Sequence, residues 1–269
     1  MDGFDSRKGA HLETIQLNIG MSRSGKTYAL MREVERTEGR IFIVDRLREF
    51  IRDGKCQISV DSIAVAHNRE HLRKAIASDA RVVIYQTERV RFVETSWELM
   101  RKRERAYAAA LQADCCVIAD HVLDTGSTLV TPEVHFIAPN NGALPGPLDE
   151  LAGAFRHYGA SWLADSQRPS LVAPRLQEQA ETIRIFATAG RIDRKTIRDY
   201  LGDSALDSVD ECARRLSKKD PGWHVRIDPR FRVPPYPLCR YVTDEKTGRV
   251  GVEIEKPMGQ QSIDYEKDG

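Results

Sequence analysis

Gly20-Met21-Ser22-Arg23-Ser24-Gly25-Lys26-Thr27 has the spacing G-x-x-x-x-G-K-[ST], the Walker A or P-loop pattern that holds the phosphates of a nucleotide. Glycines let the backbone curl so that successive N–H groups point inward at phosphate oxygens. The start of a following helix adds positive potential at the same place. Lys26 is suited to neutralise charge on the β- and γ-phosphates, and Thr27 to offer its hydroxyl to Mg2+. Gly20, Ser22, Arg23, Ser24, Gly25, Lys26, Thr27 and Tyr28 are therefore the expected ATP-binding residues, with Thr27 the expected Mg2+ ligand.

Hydrolysis needs an acid facing those phosphates. Two apolar runs end in one: Cys116-Val117-Ile118-Ala119-Asp120 and Leu129-Val130-Thr131-Pro132-Glu133. Glu133 is preferred. The apolar residues Ala110, Cys115, Val117, Ile118 and Val122 have helical spacing, with no break before Gly126, which puts Asp120 on a helix. Glu133 then polarises the attacking water, and Thr131 or a distant acid holds the metal's water shell. Asp165-Ser166-Gln167-Arg168-Pro169 ends another apolar run, and Gln167 there is expected to hydrogen-bond the γ-phosphate or the water. Arg156, just before Tyr158-Gly159, is a candidate to reach a neighbouring subunit's γ-phosphate.

The elements that must position these residues alternate between strands and helices. Strands are expected at residues 14–19, 40–45, 81–86, 127–131, 160–165 and 182–187. Helices are expected after the P-loop and at about 68–78, 95–123, 148–157 and 171–179. This order predicts an α/β, RecA-like P-loop NTPase core with a mostly parallel sheet and helices on both faces. Arg240-Tyr241-Val242-Thr243 and Val250-Gly251-Val252-Glu253-Ile254, joined by Asp244 to Gly248, read as a β-hairpin. The expected organisation is a flexible N-terminus at 1–12, an ATPase domain at 13–220, a proline-rich and hairpin extension at 221–255 and a flexible tail at 256–269.

Length and composition agree with one large soluble domain: 269 residues, 30% charged, 41% hydrophobic and a formal net charge of +1. A nucleic-acid partner would have to meet local clusters of Arg and Lys, since the whole chain is not basic. No signal peptide, internal repeat or apolar run of membrane-spanning length is evident. Cys56, Cys115, Cys116, Cys212 and Cys239 show no C-x-x-C pairing and read as reduced, buried thiols of a cytosolic protein. His67 and His71 lie one helical turn apart but lack a third metal ligand. Arg101, Lys102, Arg103 and Arg105 suit either a solvated helix face or DNA phosphates. Trp97, Trp162 and Trp223 are read as packing residues.

Together, Gly20–Thr27, Glu133-Val134-His135-Phe136-Ile137-Ala138-Pro139, Phe155-Arg156-His157-Tyr158-Gly159, Ser166-Gln167-Arg168-Pro169 and Gln179-Ala180-Glu181-Thr182-Ile183 resemble the FtsK–HerA superfamily of P-loop ATPases over about residues 13–202. The small size looks most like the genome-packaging ATPases of viruses with internal membranes. The resemblance implies a homohexameric ring that hydrolyses ATP at subunit interfaces and drives double-stranded DNA through its hole, in the host cytoplasm or virion. A capsid or membrane vertex protein is an implied partner. It also implies Lys26 and Thr27 at the phosphates and Mg2+, Glu133 as catalytic acid, Gln167 as sensor, and a trans arginine, Arg156 first and Arg168 second. Pro132 departs from the pattern, because an Asp usually precedes the catalytic acid. A nucleotide-gated phage-assembly or secretion ATPase shares the loop and the Ser-Gln signature, though such proteins usually carry a transmembrane helix. A small-molecule kinase would need an acceptor lid, and no segment is identifiable as one.

Overall fold

Strand β1 (Ile15–Ile19) is buried along its whole length and hydrogen-bonds to a parallel strand on each side. Its apolar residues Ile15, Leu17 and Ile19 alternate with Gln16 and Asn18, which are buried as well. The computed structural model describes residues 14–87, 96–140, 143–188, 190–216, 222–227, 236–243 and 250–255. After β1 come α1 (Lys26–Arg36), β2 (Ile41–Val44), the two-residue strands β3 (Ile51–Arg52) and β4 (Lys55–Cys56), β5 (Ile63–Ala66), α2 (Arg69–Ile76), β6 (Val82–Tyr85) and α3 (Trp97–Thr125). Then follow β7 (Thr128–Thr131), α4 (Gly146–Ala154), β8 (Ser161–Ser166), α5 (Pro174–Gln179), β9 (Thr182–Phe186), α6 (Arg191–Leu201) and α7 (Asp203–Arg215). Strands β10 (His224–Ile227), β11 (Leu238–Thr243) and β12 (Val250–Glu255) complete the order.

Ten strands form one sheet in the order β12-β11-β10-β9-β1-β8-β7-β2-β6-β5. From β9 to β5 every pairing is parallel. All these strands therefore deliver the residues that follow them to one edge, where the P-loop lies. Strands β10, β11 and β12 continue the sheet in antiparallel fashion.

Alternation along the strands sorts the core into two layers. Leu30 and Val34 of α1 pack with Ile41, Ile43, Val130 and Leu163 on one face. Phe42, Leu129 and Trp162 pack on the other with residues of α2, α3, α4 and α5. A buried cluster joins α1 to the C-terminal strands. Glu33 accepts hydrogen bonds from Arg184 of β9 at 2.9 Å and from Tyr241 of β11 at 2.6 Å.

The α/β architecture, the mostly parallel sheet and the C-terminal hairpin strands agree with expectation. The differences have local causes. The strands of the expected extension at 221–255 continue the main sheet beyond β9. Strand β5, helices α6 and α7 and strand β10 were not expected. Gly202, at φ 84°, ends α6 and allows α7 to start at the next residue. The expected helix at 148–157 divides into α4 and a 3-10 turn over Phe155–Tyr158, closed by Gly159 at φ 64°. The expected helix at 171–179 shortens to Pro174–Gln179, because proline favours the first helical turn. The N-terminus, the tail and the hairpin turn at 244–248 lie outside the described residues.

Candidate active site

Gly25 stands at φ 97° and Arg23 at φ 63°, so the P-loop backbone curls through two left-handed residues before α1 begins. The loop is tied to the ends of both neighbouring strands: Gly20 N–H donates to the Ser166 carbonyl at 3.2 Å and Met21 N–H to the Ala187 carbonyl at 2.9 Å. Gly20 has no room for a side chain. A Cβ there would lie 2.7 Å from Phe186 Cβ and 3.0 Å from Ser24 Oγ. Lys26 is only 4% exposed, and its ammonium folds back over the loop to donate to the Met21 carbonyl at 3.1 Å. The chain thus forms a closed anion nest at the start of a helix, with a buried cation beside it. Ser22 and Arg23 are exposed at its tip. Ser24 is buried, and half-buried Tyr28 lies under the Arg32 guanidinium on α1.

Glu133 follows β7 at the same edge, held at φ 52° and 6% exposed. The Gln167 side-chain amide donates to its Oε1 at 2.7 Å, and Gln167 N–H approaches Oε2 at 3.3 Å. His135 Nδ1 is 3.3 Å from both Glu133 Oε2 and Ser166 Oγ. Burial lowers the imidazole pKa; Glu133 opposes that shift, and Arg46 and Lys26 reinforce it. The two residues expected to form the hydrolytic half of the site are in direct contact.

Three further carboxylates stand at this edge of the sheet. Asp45, directly after β2, is fully buried. Its oxygens accept from the N–H groups of Glu49 at 2.8 Å and Phe50 at 3.0 Å. That turn presents Glu49, whose Oε2 accepts from the Thr27 hydroxyl at 2.9 Å. Burial raises the Glu49 pKa; the Thr27 hydrogen bond opposes this, while Asp45 and Glu133 add to it. Asp165, the penultimate residue of β8, is 1% exposed and accepts from Glu133 N–H at 2.8 Å through Oδ1. Its Oδ2 has no partner. Burial pushes the Asp165 carboxyl up to about 7; Lys26 draws it down, and Glu133 and Glu49 push it further up. None of these roles follows from the sequence: Asp165 stands there as the polar end of an apolar run, Asp45 only as the last residue of an expected strand, and Glu49 carries no signal of its own.

Most of the remaining candidates lie elsewhere. Asp120 is exposed on α3, one turn before the helix leads into the opposite end of β7. Arg156 precedes β8, also at that far edge, and pairs with Glu181 before β9. Arg168 follows β8 on the P-loop edge and is exposed. His67 Nδ1 lies 3.1 Å from the Gln86 carbonyl, and among the described residues no cluster of three or more His, Cys, Asp or Glu can hold a metal. All five cysteines are free; Cys115, Cys212 and Cys239 are buried and Cys116 is half-buried, but Cys56 corrects its expectation, being exposed at the end of the short strand β4 outside the main sheet. Arg101, Lys102, Arg103 and Arg105 are exposed. Trp162 is fully buried and Trp223 is 7% exposed. Trp97 corrects its expectation: at 63% exposed it is no core residue. It opens α3, far from the first buried residue of that helix, Leu111. No helix among the described residues is long and apolar enough to cross a membrane.

No family model matches the sequence, and no curated protein matches it. Solved structures do match. The genome packaging NTPase B204 from Sulfolobus turreted icosahedral virus 2, in complex with ATP-gammaS, superposes with a TM-score of 0.54 at 14% identity, covering 90% of this chain and 97% of that one. The same protein in complex with sulfate gives 0.52 at 17% identity, covering 92% and 98%. The DNA-packaging ATPase B204 from Sulfolobus turreted icosahedral virus gives 0.51 at 17%, covering 92% and 100%. At such identities the shared property is the fold, and the match extends over nearly the whole of both chains. The chain therefore has the P-loop NTPase fold, in a form similar to that of these viral genome-packaging ATPases.

Proposed function

We propose that the protein is an ATP-hydrolysing translocase of double-stranded DNA, packaging viral DNA into a capsid through a homohexameric ring. The observation that carries the reading is the 2.7 Å hydrogen bond joining Gln167 to Glu133 on the sheet edge that also carries the closed P-loop. Loop N–H groups and Lys26 bind the β- and γ-phosphates. Glu133 accepts a proton from water as that water attacks the γ-phosphorus, and the bond to the β–γ bridging oxygen breaks. Gln167 fixes the direction of the Glu133 carboxylate. The Thr27 hydroxyl beside the Glu49 carboxylate is the all-oxygen chemistry that Mg2+ accepts. When bound there with nucleotide, Mg2+ offsets phosphate charge.

A neighbouring subunit supplies an arginine, for which Arg156 and Arg168 are the candidates. Arg168 shares an edge with the P-loop. The exposed basic turns of α3 are suited to DNA phosphates, and the host cytoplasm or virion is where such a protein acts. The test is ATP hydrolysis with and without duplex DNA, for wild type, Lys26→Ala, Glu133→Gln and Asp120→Asn. Stimulation by DNA that falls steeply with salt is expected in wild type and Asp120→Asn, and loss in the other two. A hexameric preparation with no DNA stimulation overturns the translocase reading.

A further inference from the structure

We infer that Asp165, assisted by Glu49, holds the water shell of the metal bound at Thr27, a duty for which the end of β7 offers only Pro132 and a Thr131 hydroxyl already bonded to Trp162; the inference rests on the nucleotide-binding reading above. Strand alternation supports it. Leu163 of β8, Val130 of β7 and Ile43 of β2 all pack in the cluster of α1. The next residues in that alternation are Asp165, Pro132 and Asp45, so all three fall on the face where α1 begins. In the sheet β8, β7 and β2 are consecutive. A proline thus stands between two acidic positions at the place nearest the Thr27 hydroxyl. The β2 acid meets that hydroxyl through the turn that carries Glu49, and the β8 acid lies within electrostatic reach of Lys26 and Glu49.

Asp165 has an oxygen to give. Oδ1 is committed to Glu133 N–H, while Oδ2 is buried without a partner. Asn18, its register neighbour on β1, is also fully buried and leaves Nδ2 unpartnered. A spare acceptor and a spare donor side by side are the groups an ordered water requires. Buried acids without a partner are costly to a fold. A cationic ligand at Thr27 relieves that cost here, as Lys26 already does in part.

The experiment is calorimetric titration with AMPPCP, in EDTA and in MgCl2, of wild type, Asp165→Asn, Glu49→Gln and the double variant Asp165→Asn/Pro132→Asp, each checked by circular dichroism. Wild type is expected to bind more tightly with Mg2+. Asp165→Asn should lose about 10–100-fold of that gain, the usual cost of removing an outer-shell partner, while its affinity in EDTA stays. Glu49→Gln should lose part of the gain, and Pro132→Asp should restore it in the double variant. A folded Asp165→Asn with the full Mg2+ gain overturns the inference, as does equal weakening in both buffers. If Asp165→Asn does not fold, Glu49→Gln decides: loss of part of the gain supports the inference, and the full gain overturns it. Wild type that binds in EDTA with no gain in MgCl2 sinks this inference alone; wild type that binds in neither sinks the nucleotide reading itself.

Discussion

The Gln167 side-chain amide lies 2.7 Å from Glu133 Oε1, and the Gln167 backbone N–H lies 3.3 Å from Oε2, so one residue contacts both carboxylate oxygens. Glu133→Gln is expected to keep nucleotide affinity and lose about 10²–10⁴-fold in turnover, the range for a removed general base. Gln167→Ala should lower kcat by less, with little change in KM. Steady-state ATPase assays check both. A Glu133→Gln variant with wild-type turnover would remove Glu133 from the chemistry.

Lys26 is nearly buried and donates to a loop carbonyl as well as facing the nest. Lys26→Ala should abolish the thermal shift that AMPPCP with Mg2+ gives to wild type. Ligand at a hundred times its Kd stabilises by about 2.7 kcal/mol. Calorimetric melting with and without AMPPCP reads the difference directly.

The contact of 2.7 Å that a Cβ on Gly20 would make is with the first side-chain carbon of Phe186, which no rotamer moves away. Gly20→Ala is expected to cost about 1–3 kcal/mol by overpacking and to weaken nucleotide binding, since the same residue anchors the loop. Urea denaturation and AMPPCP titration measure the two effects separately.

Burial raises the Glu33 carboxyl, yet Arg184, Arg36 and the Tyr241 hydroxyl outweigh it and leave it at about 2 against an ordinary 4.5. A depressed folded-state value means stabilisation that is complete above pH 4.5 and is lost as pH falls toward 2. The acid-unfolding curve should steepen in that window, and Glu33→Gln should flatten it. Glu33→Gln should also cost about 3–5 kcal/mol at neutral pH, because the Arg184 guanidinium is left buried without its counter-charge. Replacing Arg184 with Met in the same chain should recover part of the loss.

Arg156 and Arg168 stand at opposite ends of β8. If Arg168 serves a neighbour's site, Arg168→Ala should spare AMPPCP affinity while lowering turnover. Mixing it with Lys26→Ala subunits should partly restore activity, because each variant lacks what the other supplies. No recovery on mixing, together with normal turnover of Arg168→Ala alone, points to Arg156→Ala as the variant to repeat.

The P-loop was legible because its backbone demands are written as residue types: Gly25 takes a positive φ, and Gly20 admits no Cβ. Glu133 was legible because an apolar run ending in an acid marks a buried parallel strand reaching the crevice. Asp120 competed with it, and the helical spacing that argued against Asp120 agrees with its place on α3. Glu49 and Asp165 were not legible as partners. Their proximity depends on β8, β7 and β2 lying side by side, which no single strand's residues state. Trp97 misled because a large aromatic is usually packed, while here the helix that carries it runs beyond the core.

That overrun changes how α3 can behave. Near its middle, Tyr107 bonds the Thr87 hydroxyl at 2.6 Å and receives the guanidinium of Arg46, which also stacks 3.5 Å above the Phe136 ring beside the Glu133 turn. The ten residue steps from Trp97 to Tyr107 span about 15 Å at the helical rise per residue. A tilt of about 10° around Tyr107 would swing the tryptophan end by about 3 Å, so a small angle at the Arg46–Phe136 contact corresponds to an ångström-scale displacement of the basic turns of α3.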